Sequence, residues 1–283
     1  MDSQGYIARK RNQNMNSRPC GTRGGTDTMI EFQNVSRNYG TKVAVEELSL
    51  NVPAGKVFAL LGHNGAGKTT TIKMLVGLLL PKSGQIHIGG HDTATRTRDT
   101  TSLIGYIPAQ PYLYEKLSGR EFLTFVAEMY GMNPDQTVQG ISREIDRFEL
   151  HDFIDELTER YSHGMKQRTV FASAMLHNPR ILVIDEPLVG LDPHSIRLVK
   201  DLLRSEANAG TCIFMSTHTL DVAEEIADRI GIMQRGQLVF EGTVSQLRTQ
   251  LHGEGQSLEA LYLSLVDEST GLASSALRQS PKR

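Results

Sequence analysis

At 283 residues, with 39% apolar residues and a formal net charge of −2, the chain is long enough for one large α/β domain and apolar enough to fill a core. Its near-neutral balance gives no electrostatic reason to expect nucleic acid as a main partner. Two cysteines, Cys20 and Cys212, exclude a disulfide framework and fit a reducing compartment. No run reaches the roughly eighteen apolar residues a membrane helix needs. The longest candidate, Ile72 to Leu80, is broken by Lys73 and followed by Pro81. The start carries no apolar stretch of the signal-peptide kind. The chain is therefore expected to be soluble by itself, with any membrane role supplied by a partner.

In chain order, residues 1–28 carry five basic residues (Arg9, Lys10, Arg11, Arg18, Arg23), two acids (Asp2, Asp27) and almost no large apolar residues. They read as a disordered extension, either a basic arm near anionic lipid or a dispensable segment. Patterned sequence begins at Met29, which is read as a candidate start. Met29–Val35 and Leu48–Val52 show strand patterning, and Val57–Leu61 reads as a buried parallel strand. Thr69–Leu80 reads as a helix ended by Pro81. Arg120–Tyr130 and Ile141–Arg160 show helical spacing and suggest a helical insert. Ile181–Ile184 and Cys212–Met215 are short buried strands. Gly231–Phe240 reads as a hairpin turning at Arg235-Gly236, residues 257–266 as an amphipathic helix, and 267–283 as a flexible tail. No internal repeat is present, so the chain holds one copy of whatever unit it encodes.

The first chemical signal is Gly62-His63-Asn64-Gly65-Ala66-Gly67-Lys68-Thr69-Thr70, which fits G-x-x-x-x-G-K-[ST] between an apolar strand and a helix. Glycines let the backbone curl and aim N–H groups at an anion, and the following helix adds its positive end. Lys68 is placed for the β- and γ-phosphates of a nucleotide, and the Thr69 hydroxyl for Mg²⁺. A merely structural Gly-rich turn would not need the Lys-Thr pair. The second signal is Ile181-Leu182-Val183-Ile184-Asp185-Glu186-Pro187, an apolar strand ending in two acids. Beside a phosphate loop, Asp185 is the expected Mg²⁺ partner and Glu186 the group that polarises an attacking water. No metal-ligand spacing occurs among the nine histidines.

Between and after these motifs the sequence resembles the ABC ATPase family. Tyr161-Ser162-His163-Gly164-Met165-Lys166-Gln167-Arg168, with Ser162 standing 23 residues before Asp185, resembles the family's signature motif, although His163 and Met165 depart from its common form. Taken alone, Ser162 is equally a helix cap. Tyr39 matches the aromatic that stacks on adenine, Gly190-Leu191-Asp192 the loop that communicates across a dimer, and His218 the switch histidine at the γ-phosphate. The segment IGYIPAQPYLYEKL resembles the glutamine loop. Ala109 holds the position where a glutamine or acid is common, and Gln110, the next residue, is the candidate near Mg²⁺ and the attacking water.

The resemblance covers about residues 29–266. It implies an α/β fold: a P-loop NTPase core with a mixed sheet, an N-terminal antiparallel β subdomain, and a helical insert at about 110–165 carrying the signature. It also implies an ATP hydrolase using ATP and Mg²⁺. Lys68 and Asp185 of one copy would face Ser162 and Gly164 of a second ATP-binding subunit, while the insert grips a separate transmembrane permease at the cytoplasmic face of the membrane. The YSHGMKQR signature and the SLEALYLSLV tail resemble ATPases of the ABC-2 type, which mostly export. The alternatives are a soluble ABC-type ATPase acting on ribosomes or DNA, for which a second cassette or a coiled-coil insertion is missing, and a non-catalytic nucleotide-dependent regulator, which intact Lys68, Asp185, Glu186 and His218 argue against.

Overall fold

The computed structural model describes residues 28–186, 192–253 and 255–265. The expected extension (through residue 27), Pro187, Gly190, Leu191 and the expected tail lie outside the described residues. β1 (Thr28–Tyr39) and β2 (Lys42–Pro53) form a long antiparallel hairpin. Both outrun the strands expected at Met29–Val35 and Leu48–Val52. Asn34 and Glu47 take φ of 49° and 46°, and the pairing register shifts between Phe32 and Val35. Such bulges reset the alternation, so a strict period-2 pattern sees only part of each strand. β3 (Val57–Leu61) follows, then α1 (Lys68–Leu75).

α1 stops five residues before the expected end at Leu80. Gly77 turns into the left-handed region at φ 78°, and the Leu79 N–H reaches back to the Lys73 carbonyl at 3.1 Å. That closes the helix in a Schellman-like turn well before Pro81, leaving Leu78 and Leu80 exposed.

Next come β4 (Ser83–Ile88), the short β5 (His91–Asp92), α2 (Thr97–Thr101) and β6 (Ile104–Ile107). α3 (Gly119–Met129) and α4 (Pro134–Phe148) each begin with a reciprocal capping box, Ser118 with Glu121 and Asn133 with Gln136, and α4 carries Pro134 at its first turn. The helix expected at Ile141–Arg160 thus starts earlier and ends at Phe148. There Glu149 adopts φ 53°, and a separate 3₁₀ turn covers Thr158–Arg160.

α5 (His163–Met175), β7 (Ile181–Asp185), α6 (Pro193–Asn208), β8 (Cys212–Thr217), α7 (Leu220–Ile226), β9 (Arg229–Gln234), β10 (Gln237–Gly242) and α8 (Val244–Gln250) complete the order, with residues 258–265 forming α9. The β9–β10 turn falls at Arg235-Gly236 as expected, both at positive φ.

Among the described residues, one sheet is antiparallel in the order β2-β1-β4-β5. The other is mixed, in the order β10-β9-β3-β8-β7-β6, with β3, β6, β7, β8 and β9 parallel and β10 antiparallel to β9. The parallel strands are buried on both faces, which is why they read as continuous apolar runs rather than alternations. Phe58, Leu60, Ile181, Val183, Cys212 and Phe214 face α1 and the antiparallel sheet, where Phe214 lies 5.5 Å from Phe58 and 6.1 Å from Phe32 between ring centroids. Val57, Ala59, Leu182, Ile184, Ile213 and Met215 face the helices that follow. Cys212 is a small apolar core residue whose thiol burial pushes up to about 12. No described helix is long and apolar enough to cross a membrane.

The α3 end is tied to the mixed sheet by a stack of Tyr130 on His177, 3.7 Å between centroids, with His177 Nε2 bonding the Ile104 carbonyl at 3.1 Å. Burial holds the His177 imidazole down at about 4 against its ordinary 6.5. Below about pH 6.5 the unfolded chain takes up a proton that the folded chain refuses until about pH 4, so this group's contribution is complete above pH 6.5 and is lost as pH falls through that window. Urea midpoints are expected to be lower at pH 5 than at pH 7. His177→Phe, which keeps the stack, is expected to shrink that difference; an unchanged pH dependence in the variant would contradict the assignment.

Candidate nucleotide site

The loop Gly62–Gly67 leaves β3 at its C-terminal end and delivers α1, whose first turn carries Lys68, the exposed Thr69 and the half-buried Thr70. Two of its glycines are sterically required. A Cβ on Gly62 would sit 2.6 Å from the Met233 carbonyl oxygen, and one on Gly67, at φ 114°, would sit 2.5 Å from the Ala44 carbonyl oxygen. Both approaches come from elements distant in sequence. The Gly236 N–H donates to the Ala66 carbonyl at 2.9 Å, and the Glu46 N–H to the Gly236 carbonyl at 2.8 Å. β2, the loop and the β9–β10 turn are thereby locked together. His63, Asn64 and Gly65 remain exposed at the crest of the loop.

Lys68 is only 5% exposed. Its Nζ donates to the Gly62 carbonyl at 2.6 Å and lies 3.5 Å from Glu186 Oε1. Glu186 Oε2 in turn meets His218 Nδ1 at 2.7 Å and the His218 backbone N–H at 3.3 Å. Glu186 stands just past β7 at φ 52°, a left-handed conformation uncommon for a residue with a long side chain. Its geometry is held by Ser216, the residue paired with Asp185 across β7 and β8. Ser216 Oγ donates to Asp185 Oδ1 at 2.5 Å and accepts the Glu186 N–H at 3.2 Å. One hydroxyl thus orients both neighbouring acids. Ser216 is absent from the sequence motifs, and its signal, a serine ending an apolar strand, is too common to single out. Tyr106 on β6 borders the same group: burial, then the Asp185 charge, hold its phenol up to about 12.

The remaining expected residues fall elsewhere. Gln110 is exposed in the loop beyond β6, on the same strand-end edge as Asp185, since Ile107 and Ile184 are register partners. Tyr39 ends β1, half exposed, with the Arg37 guanidinium 5.5 Å from its ring centroid. Ser162 caps α5 by accepting the Met165 N–H at 3.3 Å, so the capping role open to it is made. A Cβ on Gly164 would lie 3.7 Å from Asp192 Oδ2, which places the start of α5 beside the start of α6. Asp192 is the α6 cap: it accepts the His194 and Ser195 N–H groups, each at 3.0 Å, and the Ser195 hydroxyl at 2.6 Å. Those bonds hold its carboxyl down at about 2. Among the described residues no hydrogen bond or ion pair joins Ser162, Gly164 or Asp192 to Lys68, Asp185, Glu186 or His218. Lys68, Glu186 and His218 are therefore joined beside the phosphate loop, with Asp185 next to Glu186, whereas Ser162, Gly164 and Asp192 lie around the α5 and α6 N-termini.

The ABC transporter family profile matches residues 45–189. The chain is 37% identical over 220 residues to the bacitracin transport ATP-binding protein of Enterococcus faecalis, an alignment covering 77% of this chain and 70% of that one. It is 37% identical over 222 residues to the daunorubicin/doxorubicin resistance ATP-binding protein of Streptomyces peucetius, covering 78% and 67% respectively. A solved ATP-binding subunit of an ABC transporter superposes with a TM-score of 0.80 at 33% identity, over 84% of this chain and all of that one. With a strand-to-helix phosphate loop, a paired-acid strand end and the expected mixed sheet in place, the chain belongs to the ABC transporter family, as one of its ATP-binding and ATP-hydrolysing subunits.

Proposed function

We propose that this subunit closes head to tail on a second ATP-binding subunit, with ATP between them, and passes that motion to a separate membrane permease for export. The separation of Ser162 and Gly164 from the phosphate-loop residues supports this reading. Lys68, Glu186 and His218 are gathered at one place, whereas Ser162 and Gly164 open a helix elsewhere. A helix N-terminus with a small polar cap is suited to an anion, and a second copy would bring its own to the phosphate loop of the first. Lys68 would bind the β- and γ-phosphates and Tyr39 would stack on adenine. Glu186 would accept a proton from the attacking water, with Gln110 helping to orient that water and His218 contacting the γ-phosphate. Asp192 would sit at the dimer seam, holding α6 in place.

The donors near the loop suit Mg²⁺: the Thr69 hydroxyl, the Asp185 carboxylate and the Gln110 amide are hard oxygen ligands. No cluster of three or more His, Cys, Asp or Glu occurs among the described residues to cage a metal outright. Mg²⁺ bound there would neutralise charge on the phosphate oxygens, and Ser216 would keep Asp185 aimed at it.

The relatives named for bacitracin transport and for drug resistance support export. The place of action would be the cytoplasmic face of the cell membrane. Affinity purification of the tagged chain from native membranes is expected to bring down a polypeptide with several apolar spans. Recovery of ribosomes in its place would favour the rival reading and overturn this one.

A further inference from the structure

The pairing of β1 with β2 presses their hairpin end against the phosphate loop. Arg37 pairs with Val45 and Asn38 with Val43, so Ala44 is an extra residue in β2 with no partner across the hairpin. Its carbonyl oxygen is the atom that bars a Cβ from Gly67, at 2.5 Å, and it would lie 3.0 Å from a Cβ on Gly236. Tyr39, half-exposed, pairs with Lys42, two residues from that contact. Arg37 stands two residues before Tyr39, a spacing that puts both side chains on one face of a strand. Its guanidinium carbon lies over the Tyr39 ring, 5.5 Å from the centroid, within reach of a cation–π contact. One guanidinium nitrogen donates to the Leu80 carbonyl at 3.0 Å, and the Lys82 N–H donates to the Ser36 carbonyl at 2.8 Å. These two bonds tie β1 to the segment that follows α1. Arg37 Nε is buried without a hydrogen-bond partner, and among the described residues no carboxylate pairs with this guanidinium. The Leu80 carbonyl and the tyrosine ring are its polar partners. A guanidinium over one face of the ring leaves the opposite face for a second planar group.

We propose that Arg37 is a positioning residue for the adenine end of ATP: anchored on the Leu80 carbonyl, its guanidinium fixes one face of the Tyr39 ring so that the other face takes the base. This rests on reading Tyr39 as the residue that stacks on adenine. The test uses the full-length chain and its Arg37→Met, Tyr39→Ala and doubly substituted forms. Methionine keeps an unbranched apolar stem and removes the charged plane. Each form is titrated with a fluorescent ATP analogue labelled on the ribose, which leaves the base free. Tyr39→Ala is expected to raise the Kd about tenfold or more, the range of base–aromatic stacking. Arg37→Met is expected to raise it about two- to fivefold, and to add nothing in the Tyr39→Ala background, where the ring it holds is gone. In steady-state hydrolysis Arg37→Met is expected to raise KM and leave kcat unchanged, because contacts to the base are the same before and during the reaction. A parental Kd in Arg37→Met, beside weakened binding in Tyr39→Ala, would overturn the Arg37 role and leave base stacking standing. An equal fold-loss in both backgrounds would show that Arg37 acts through the Leu80 segment and not through the ring, and would also overturn the role. A parental Kd in Tyr39→Ala would overturn the stacking reading and this role with it.

Discussion

Glu186→Gln is expected to cut ATP hydrolysis by about 10²- to 10⁴-fold, the range a positioned general base supplies, while ATP binding persists. Glutamine has the same shape, so it can still accept from His218, 2.7 Å away, and fill the space beside Lys68 at 3.5 Å. It cannot accept a proton from water. If ATP bridges two copies, removing hydrolysis removes the step that opens them, and the variant is expected to accumulate as an ATP-bound dimer. Phosphate release measures the first effect, and size-exclusion chromatography with and without ATP the second. A variant that hydrolyses ATP at the parental rate would show that the water-polarising group lies elsewhere. The left-handed φ of Glu186, held by its N–H bonds to Ser216, makes the geometry specific to this position.

Lys68→Ala is expected to weaken ATP binding by about 10- to 100-fold, because hydrogen bonds to a charged group are worth roughly 1.5–3 kcal/mol and each 1.4 kcal/mol is a factor of ten. The structure adds a second consequence. In the structure the Lys68 ammonium is shared between the Gly62 carbonyl and Glu186, whose side chain is only 16% exposed. Among the described residues, alanine leaves that carboxylate with His218 as its remaining side-chain partner. Combining Lys68→Ala with Glu186→Gln is therefore expected to be less than additive in the melting of the nucleotide-free chain, since the second change removes the charge the first exposed. Equal and additive losses would mean that the pair is not coupled. Nucleotide titration and a double-mutant melting cycle are the measurements.

The elements most legible in the chain were those whose signal is local. β3 and the turn at Arg235-Gly236 stand where their residues predict, because an apolar run buried on both faces and a two-residue turn at positive φ each carry their own pattern. The misplaced boundaries share one cause. α1 was expected to run to Leu80 because Leu78–Leu80 are apolar, and α4 to run through Glu149 because the next residues keep helical spacing. In both, a single left-handed residue, Gly77 or Glu149, ends the helix, and only backbone geometry reveals it. The alternation covers only part of each hairpin strand for the same kind of reason, since the bulges at Asn34 and Glu47 break a pattern that the pairing itself survives.

By itself the sequence determined the glycine-rich loop between strand and helix, the paired acids and the order of the motifs, since these depend on residue type and spacing along a continuous chain. Tertiary structure alone decided what stands next to what. Parallel pairing of β7 with β8 brings Ser216 against Asp185 and Glu186, across 30 residues of chain. The β9–β10 turn and β2 close on the phosphate loop so tightly that Gly62 and Gly67 admit no Cβ. Such contacts arise when buried faces are packed together and their backbone polar groups must find partners, a condition set by the whole fold rather than by any one segment.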